Sequence, residues 1–289
     1  MTHTDRLLDT PHGRFAVRDY GGTGRDLLLV HGTGHNLEVW TPVAQRLSAD
    51  FHVLAFDLRG HGLTEVDSTD AERYWRDIGD VAAALQLDCP VLVGHSTGAY
   101  AVTAHAAAGG ACAGLVLLDG FVLDARMTAE QAAAWRLDRE KPWSLYRYGW
   151  LTDEATMNVY IAQQCAQRDG PHAGVPPALI KAYLRRAFSR QSEGYVRRPT
   201  LDDLEAVCRN DPTAAIYPAR EIYAQVRVPT VFVLAGAGPY AARRAQIEAL
   251  AEQVGEGWFT PIEAGHNLHM QAPEEVAACV QAHVSVMSA

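Results

Sequence analysis

Val91-Leu92-Val93-Gly94-His95-Ser96-Thr97-Gly98 is an apolar run that ends in Gly-x-Ser-x-Gly, and an alanine-rich stretch over residues 99–108 follows it. The run reads as a buried strand and the stretch as a helix. A serine on the tight turn between them projects its hydroxyl outward, beside the first backbone N–H groups of the helix. The glycines are needed because a strained backbone at the serine crowds its neighbours two positions away on each side. Ser96 is therefore the candidate nucleophile. The five-residue pattern alone recurs by chance; its place between a strand and a helix gives it weight.

The chain has 289 residues, 48% of them hydrophobic, enough for one large core with an inserted lid. A net charge of −9 argues against nucleic acid or an anionic membrane as the main partner. The opening Met1-Thr2-His3-Thr4-Asp5-Arg6 lacks the basic and then apolar profile of a signal peptide, and no apolar run approaches about 18 residues. The five cysteines, Cys89, Cys112, Cys165, Cys208 and Cys279, are odd in number and without a Cys-x-x-Cys pair. They fit reduced thiols in a cytoplasmic protein, and neither a zinc site nor a disulfide framework. The expected partner is a small-molecule substrate, with no metal or cofactor, and a homodimer is left open.

Short apolar runs alternate with helical stretches through the first part of the chain. Strands are expected over 15–20, 26–30, 51–56, 90–94 and 114–118, with helices over 37–47, 74–85 and 100–108. Such alternation predicts a mostly parallel sheet with helices on both faces. From about 121 to 226 the rhythm breaks into successive helices, over 128–140, 153–167, 177–189, 201–209 and 212–224. It returns with strands over 229–234 and 258–262 and helices over 242–254 and 273–286. A helical insertion within one α/β sheet is most simply a cap over the carboxyl edge, where ligands bind in such folds. The expected division is a core of 1–120 and 201–289 with a cap of 121–200.

A serine hydroxyl needs a base, and the base needs a third group to hold it. His266, in Glu263-Ala264-Gly265-His266-Asn267, lies on a loop just after the last expected strand. From there it can reach a serine on the same sheet edge. The oxyanion hole needs two converging N–H donors. Thr97, the residue after the serine, is one candidate, and Thr33, in the turn His31-Gly32-Thr33-Gly34, is the other.

With these four elements in order the chain resembles the α/β-hydrolase fold superfamily, of the capped kind. The matching elements are His31-Gly32, Asp57-Leu58-Arg59-Gly60-His61-Gly62, Gly94-His95-Ser96-Thr97-Gly98 and Gly265-His266. The resemblance implies a mostly parallel eight-stranded sheet flanked by helices, with a helical cap inserted after strand six. It implies structural roles for Arg59 and His61, which hold loops together, and for His95 beneath the elbow. It also implies a triad acid, commonly in a Gly-x-x-Asp-Pro segment after the seventh core strand. The equivalent here, Leu234-Ala235-Gly236-Ala237-Gly238-Pro239-Tyr240, has no carboxylate. Some members of the superfamily carry the acid after strand six, where Asp119 ends Leu115-Val116-Leu117-Leu118-Asp119-Gly120. Asp119 is the expected acid, with Asp124 as the substitute.

The expected activity is hydrolysis of a carboxylic ester or lactone through an acyl-enzyme. Serine at 96 disfavours the dehalogenases and epoxide hydrolases of the superfamily, which need a carboxylate nucleophile there. Carbon–carbon bond hydrolysis stays open. So does a cofactor-independent dioxygenase using the His–Asp pair on a heteroaromatic substrate, as does a non-catalytic ligand receptor. Trp135, Trp143, Tyr146, Tyr148, Trp150 and Tyr160 crowd one stretch, read mainly as packing of the cap. Any that face the cleft would suit an aromatic or apolar substrate. Candidate pocket residues are His35, Trp135, Trp143, Trp150 and Asn267, with His269 beside them. Arg185, Arg186, Arg190, Arg197 and Arg198 form a basic patch, read as a solvated face or a carboxylate clamp.

Overall fold

The computed structural model describes residues 3–134 and 146–287. Eight strands form the main sheet: β1 (Thr4–Thr10), β2 (Gly13–Asp19), β3 (Asp26–Val30), β4 (His52–Phe56), β5 (Val91–His95), β6 (Gly114–Leu118), β10 (Thr230–Ala235) and β11 (Gly257–Ile262). Their order is β1-β2-β4-β3-β5-β6-β10-β11. The β1–β2 and β2–β4 pairs are antiparallel, and the other pairs are parallel. From β3 the chain steps outward to β4 and then returns to β5 on the other side of β3. That reversal opens a crevice at the carboxyl ends of β3 and β5.

The inner strands are continuous apolar runs because both faces of the sheet are covered. Alternate residues enter two separate cores. Leu27, Leu29, Val91 and Val93 pack with Val43 and Leu47 of α1 (Thr41–Leu47) and with Val276 and Val280 of the last helix, Pro273–Val284. Leu28, Val30 and Leu92 pack with Ile78 and Val81 of α2 (Arg73–Ala84) and Ala99 and Val102 of α3 (Thr97–Ala107). Among the described residues no helix is long and apolar enough to cross a membrane.

Three departures from expectation have physical causes. β1 was not anticipated, because Thr4–Thr10 is an exposed edge strand whose polar sequence carries little core signal. The segment between β6 and β10 is not wholly helical. Besides the helices Glu154–Ala166, Pro177–Arg186 and Leu201–Cys208 it holds a small antiparallel sheet, β7 (Leu151–Thr152), β9 (Gly194–Arg197) and β8 (Phe188–Gln191) in that order. These strands are short and largely half-exposed, so they lack the apolar run that marks a core strand. The helix expected over 212–224 is replaced by a 3-10 turn, Arg220–Gln225. Pro218 removes a backbone donor and disfavours helix at the residue before it. Residues 129–134 are helical, and the rest of the helix expected to 140 lies outside the described residues.

Candidate active site

Ser96 stands between β5 and α3 with φ +53° and ψ −122°. An L-residue adopts this backbone only where its surroundings hold it. Here Ser96 N–H donates to Leu118 O of β6 at 3.0 Å, and Gly98 lets α3 close on β3. A methyl group at Gly98 would fall 2.3 Å from Val30 O.

His266 follows β11, and its half-exposed ring bridges two residues. Its Nδ1 lies 2.7 Å from Asp119 Oδ2, and its Nε2 lies 3.1 Å from Ser96 Oγ. A carboxylate can only accept, so Asp119 keeps the proton on Nδ1 and leaves Nε2 to accept from the serine hydroxyl. A fourth residue holds His266. Fully buried His95 donates from Nε2 to His266 O at 2.9 Å, which ties that backbone to the end of β5.

Asp119 is fully buried, has φ +42°, and accepts from Ala235 N–H at 3.1 Å through Oδ1. Its carboxylate lies against the carboxylate-free segment after β10. A methyl group at Gly238 would fall 2.4 Å from Asp119 Oδ2, so the segment must be small where Asp119 fills the room. Gly238→Ala is therefore expected to push Asp119 off His266 Nδ1 and lower kcat by at least about 10-fold, with a smaller change in KM. Steady-state kinetics on an aryl ester checks this. Asp124, the substitute acid, is instead exposed and paired with Arg243 at 2.8 Å.

The two candidate oxyanion donors are placed differently. Thr97 N–H belongs to the first turn of α3, whose amides have no partner within the helix. Thr33 N–H instead donates to Thr97 Oγ1 at 2.8 Å, and Tyr74 Oη lies 3.1 Å from the same oxygen. The next amide, Gly34 N–H, donates to His61 Nε2 at 3.2 Å. His61 thus braces the turn after β3, and Arg59 is paired with buried Asp77 at 2.5 Å.

Ser96 and His266 open on a cavity of about 570 Å³. His35 and Asn267 line it, but Asn267 also donates to Pro171 O at 2.9 Å and so anchors the inserted segment. Trp150 does not line it. Its ring packs edge-on against Tyr160 and Phe188 inside the insertion, as a bulky apolar group does when a core is within reach. Trp135 and Trp143 lie outside the described residues. Of the aromatic stretch, Tyr146, Tyr148 and Tyr160 do line it, and the Tyr148 hydroxyl sits where a side chain at Gly34 would be. Tyr183, hydrogen-bonded to His172, also lines it and was not anticipated, since it belongs to no motif and no local signal marks it.

Burial keeps the imidazoles packed around the site neutral. It holds His95 and His269 well below the usual histidine range and lowers His35 to about 3 and His61 to about 4. Close histidine neighbours add to the effect on His35, His95 and His269. The arrangement can therefore hold a base, a hydroxyl nucleophile and a fixed acid beside a cavity sized for a small molecule.

A family model described as "Alpha/beta hydrolase family" matches residues 27–279. Protein phosphatase methylesterase 1 of Mus musculus is 30% identical over 182 residues, covering 56% of this chain and 47% of that protein. The chain spans less than half the length of the curated relatives it matches. Among solved structures, E-2-(acetamidomethylene)succinate hydrolase superposes with TM-score 0.74 at 21% identity, over 98% of this chain and 100% of that one. A thermophilic esterase from Thermogutta terrifontis gives TM-score 0.69 at 22% identity, over 99% and 100%.

Proposed function

Because the chain belongs to the alpha/beta hydrolase family, we propose that it is an enzyme, a serine hydrolase that cleaves a carboxylic ester or lactone of a small substrate. The observation that carries this is the continuous contact Asp119–His266–Ser96 at the cavity wall. His266 takes the Ser96 proton as Oγ attacks the carbonyl carbon. Asp119 stabilises the imidazolium that results. Thr97 N–H receives the oxyanion, and Thr33 N–H joins it when the substrate oxygen displaces the Thr97 hydroxyl. The proton passes from His266 to the departing alkoxide. Water, deprotonated by the same base, then releases the acid and restores Ser96. Residues 121–200 act as the cap that closes the cavity and selects the substrate.

The test is a panel of aryl esters and lactones followed for product together with an oxygen electrode. Hydrolysis with acid and alcohol in equal amounts and no oxygen uptake supports the reading. Oxygen-dependent turnover of a heteroaromatic substrate, with esters untouched, would replace it with a dioxygenase.

A further inference from the structure

Arg197, on β9, is 5% exposed and lines the same cavity as Ser96. Three arginines among the described residues are buried to this degree, and the other two are neutralised. Arg18 meets Asp5 at 2.6 Å and Glu38 at 2.8 Å, and Arg59 meets Asp77 at 2.5 Å. Arg197 meets no described carboxylate within ion-pair distance. Its partners are neutral: Nη1 donates to Tyr146 O and Tyr160 Oη, while the buried Nε has no partner. The guanidinium also lies over the rings of Tyr148, at 5.3 Å, and Tyr160, at 5.2 Å.

A buried charge without a counter-ion is costly, and an anion entering the cavity would offset that cost at Arg197. The described lining residues include Arg147 and Arg197 and no aspartate or glutamate, in a protein whose net charge is −9. Burial and the Arg197 charge together lower His172, and burial drives up Tyr148 against the pull of the same charge. At neutral pH these neighbours therefore add no negative charge to the wall. Tyr148 also gives the scale, since its ring lies under Arg197 and its hydroxyl abuts Gly34 of the oxyanion turn. The cation thus stands about one tyrosine side chain from the place where a scissile carbonyl would lie.

We infer that Arg197 binds a carboxylate on the substrate, so that the enzyme's preferred esters or lactones are short-chain and anionic. The inference rests on the hydrolase reading of Ser96 for the word "substrate", but the anion site itself does not. An arginine holds a carboxylate through charge-assisted hydrogen bonds, and the burial of this guanidinium strengthens them. The tyrosine hydroxyls beside it supply further donors.

The experiment compares p-nitrophenyl hydrogen glutarate, which carries a free carboxylate, with p-nitrophenyl butyrate, which does not. The readout is the ratio of the two kcat/KM values, which cancels any general damage to the fold. The native protein is expected to favour the glutarate ester, and Arg197→Gln to lower the ratio by about 30-fold. Arg197→Lys, which keeps the charge and loses the planar fork, is expected to fall between. An unchanged ratio, with both esters slowed equally, would overturn the proposal and leave Arg197 a packing residue. Calorimetric titration of glutarate into Ser96→Ala protein separates this from the mechanism. Binding that disappears in the Ser96→Ala/Arg197→Gln double variant supports the anion site even if Ser96 proves dispensable. No glutarate binding, together with a ratio near one in the native protein, overturns it.

Discussion

Ser96→Ala is expected to lower kcat for aryl ester hydrolysis by about 10⁴-fold or more, with KM little changed. The substitution removes only the oxygen that His266 Nε2 faces at 3.1 Å. Asp119, buried and bonded to both His266 and Ala235 N–H, keeps its position, as do the donors at the first turn of α3. Substrate therefore still binds, while the covalent path closes. Alanine at φ +53° carries the same backbone strain as serine, so folding should be retained and thermal unfolding should shift by only a few degrees. A loss of activity that tracks a loss of structure would instead mark Ser96 as a turn residue. Kinetics and a melting curve on one preparation distinguish the two.

The second large effect is on stability below neutral pH. His31, His61, His95 and His269 are buried, and burial lowers all four below the usual histidine value near 6.5. Above about pH 6.5 they are neutral in both the folded and the unfolded chain, and stability does not depend on them. Below it the unfolded chain binds protons that the fold cannot accept. Stability therefore falls as pH falls, down to the folded-state values, which for His61 is about 4. Each group contributes up to about 1.4 kcal/mol per pH unit. Four together reach at most about 5.5 kcal/mol per unit, comparable with the whole stability of a typical domain. The expected result is a melting temperature that falls progressively once the pH drops below about 6.5. His269 has no hydrogen-bond partner at either ring nitrogen, so His269→Leu should flatten the slope by roughly one group's share. A melting temperature constant from pH 7.5 to 5 would contradict this.

How much of this was legible in the sequence depends on whether a residue's signal is local. The core strands were, because burial on both faces writes an unbroken apolar run such as Leu27–Val30. Ser96 was legible because a turn this tight demands glycine at fixed positions. Asp119 was expected from an absence, and the structure sets its carboxylate beside Gly238 of that same segment. The hairpin Phe188–Arg197 was not legible, since short strands carrying polar residues have no period to detect. Thr33 was expected to offer its amide to substrate, but a hydrogen bond to the Thr97 hydroxyl depends on which side chains meet across two turns. Arg197 was seen only as one of five arginines. What distinguishes it, burial without a described carboxylate partner, is a property of the folded wall and not of its neighbours in sequence.

The central claim, that Ser96 is a nucleophile activated by His266, is tested most directly by labelling with a fluorophosphonate probe and locating the adduct by peptide mass spectrometry. The expected result is one adduct per chain, on Ser96, with labelling strongly slowed in His266→Ala and absent in Ser96→Ala. An enzyme that hydrolyses esters while remaining unlabelled at Ser96, or that labels at another residue, would contradict it.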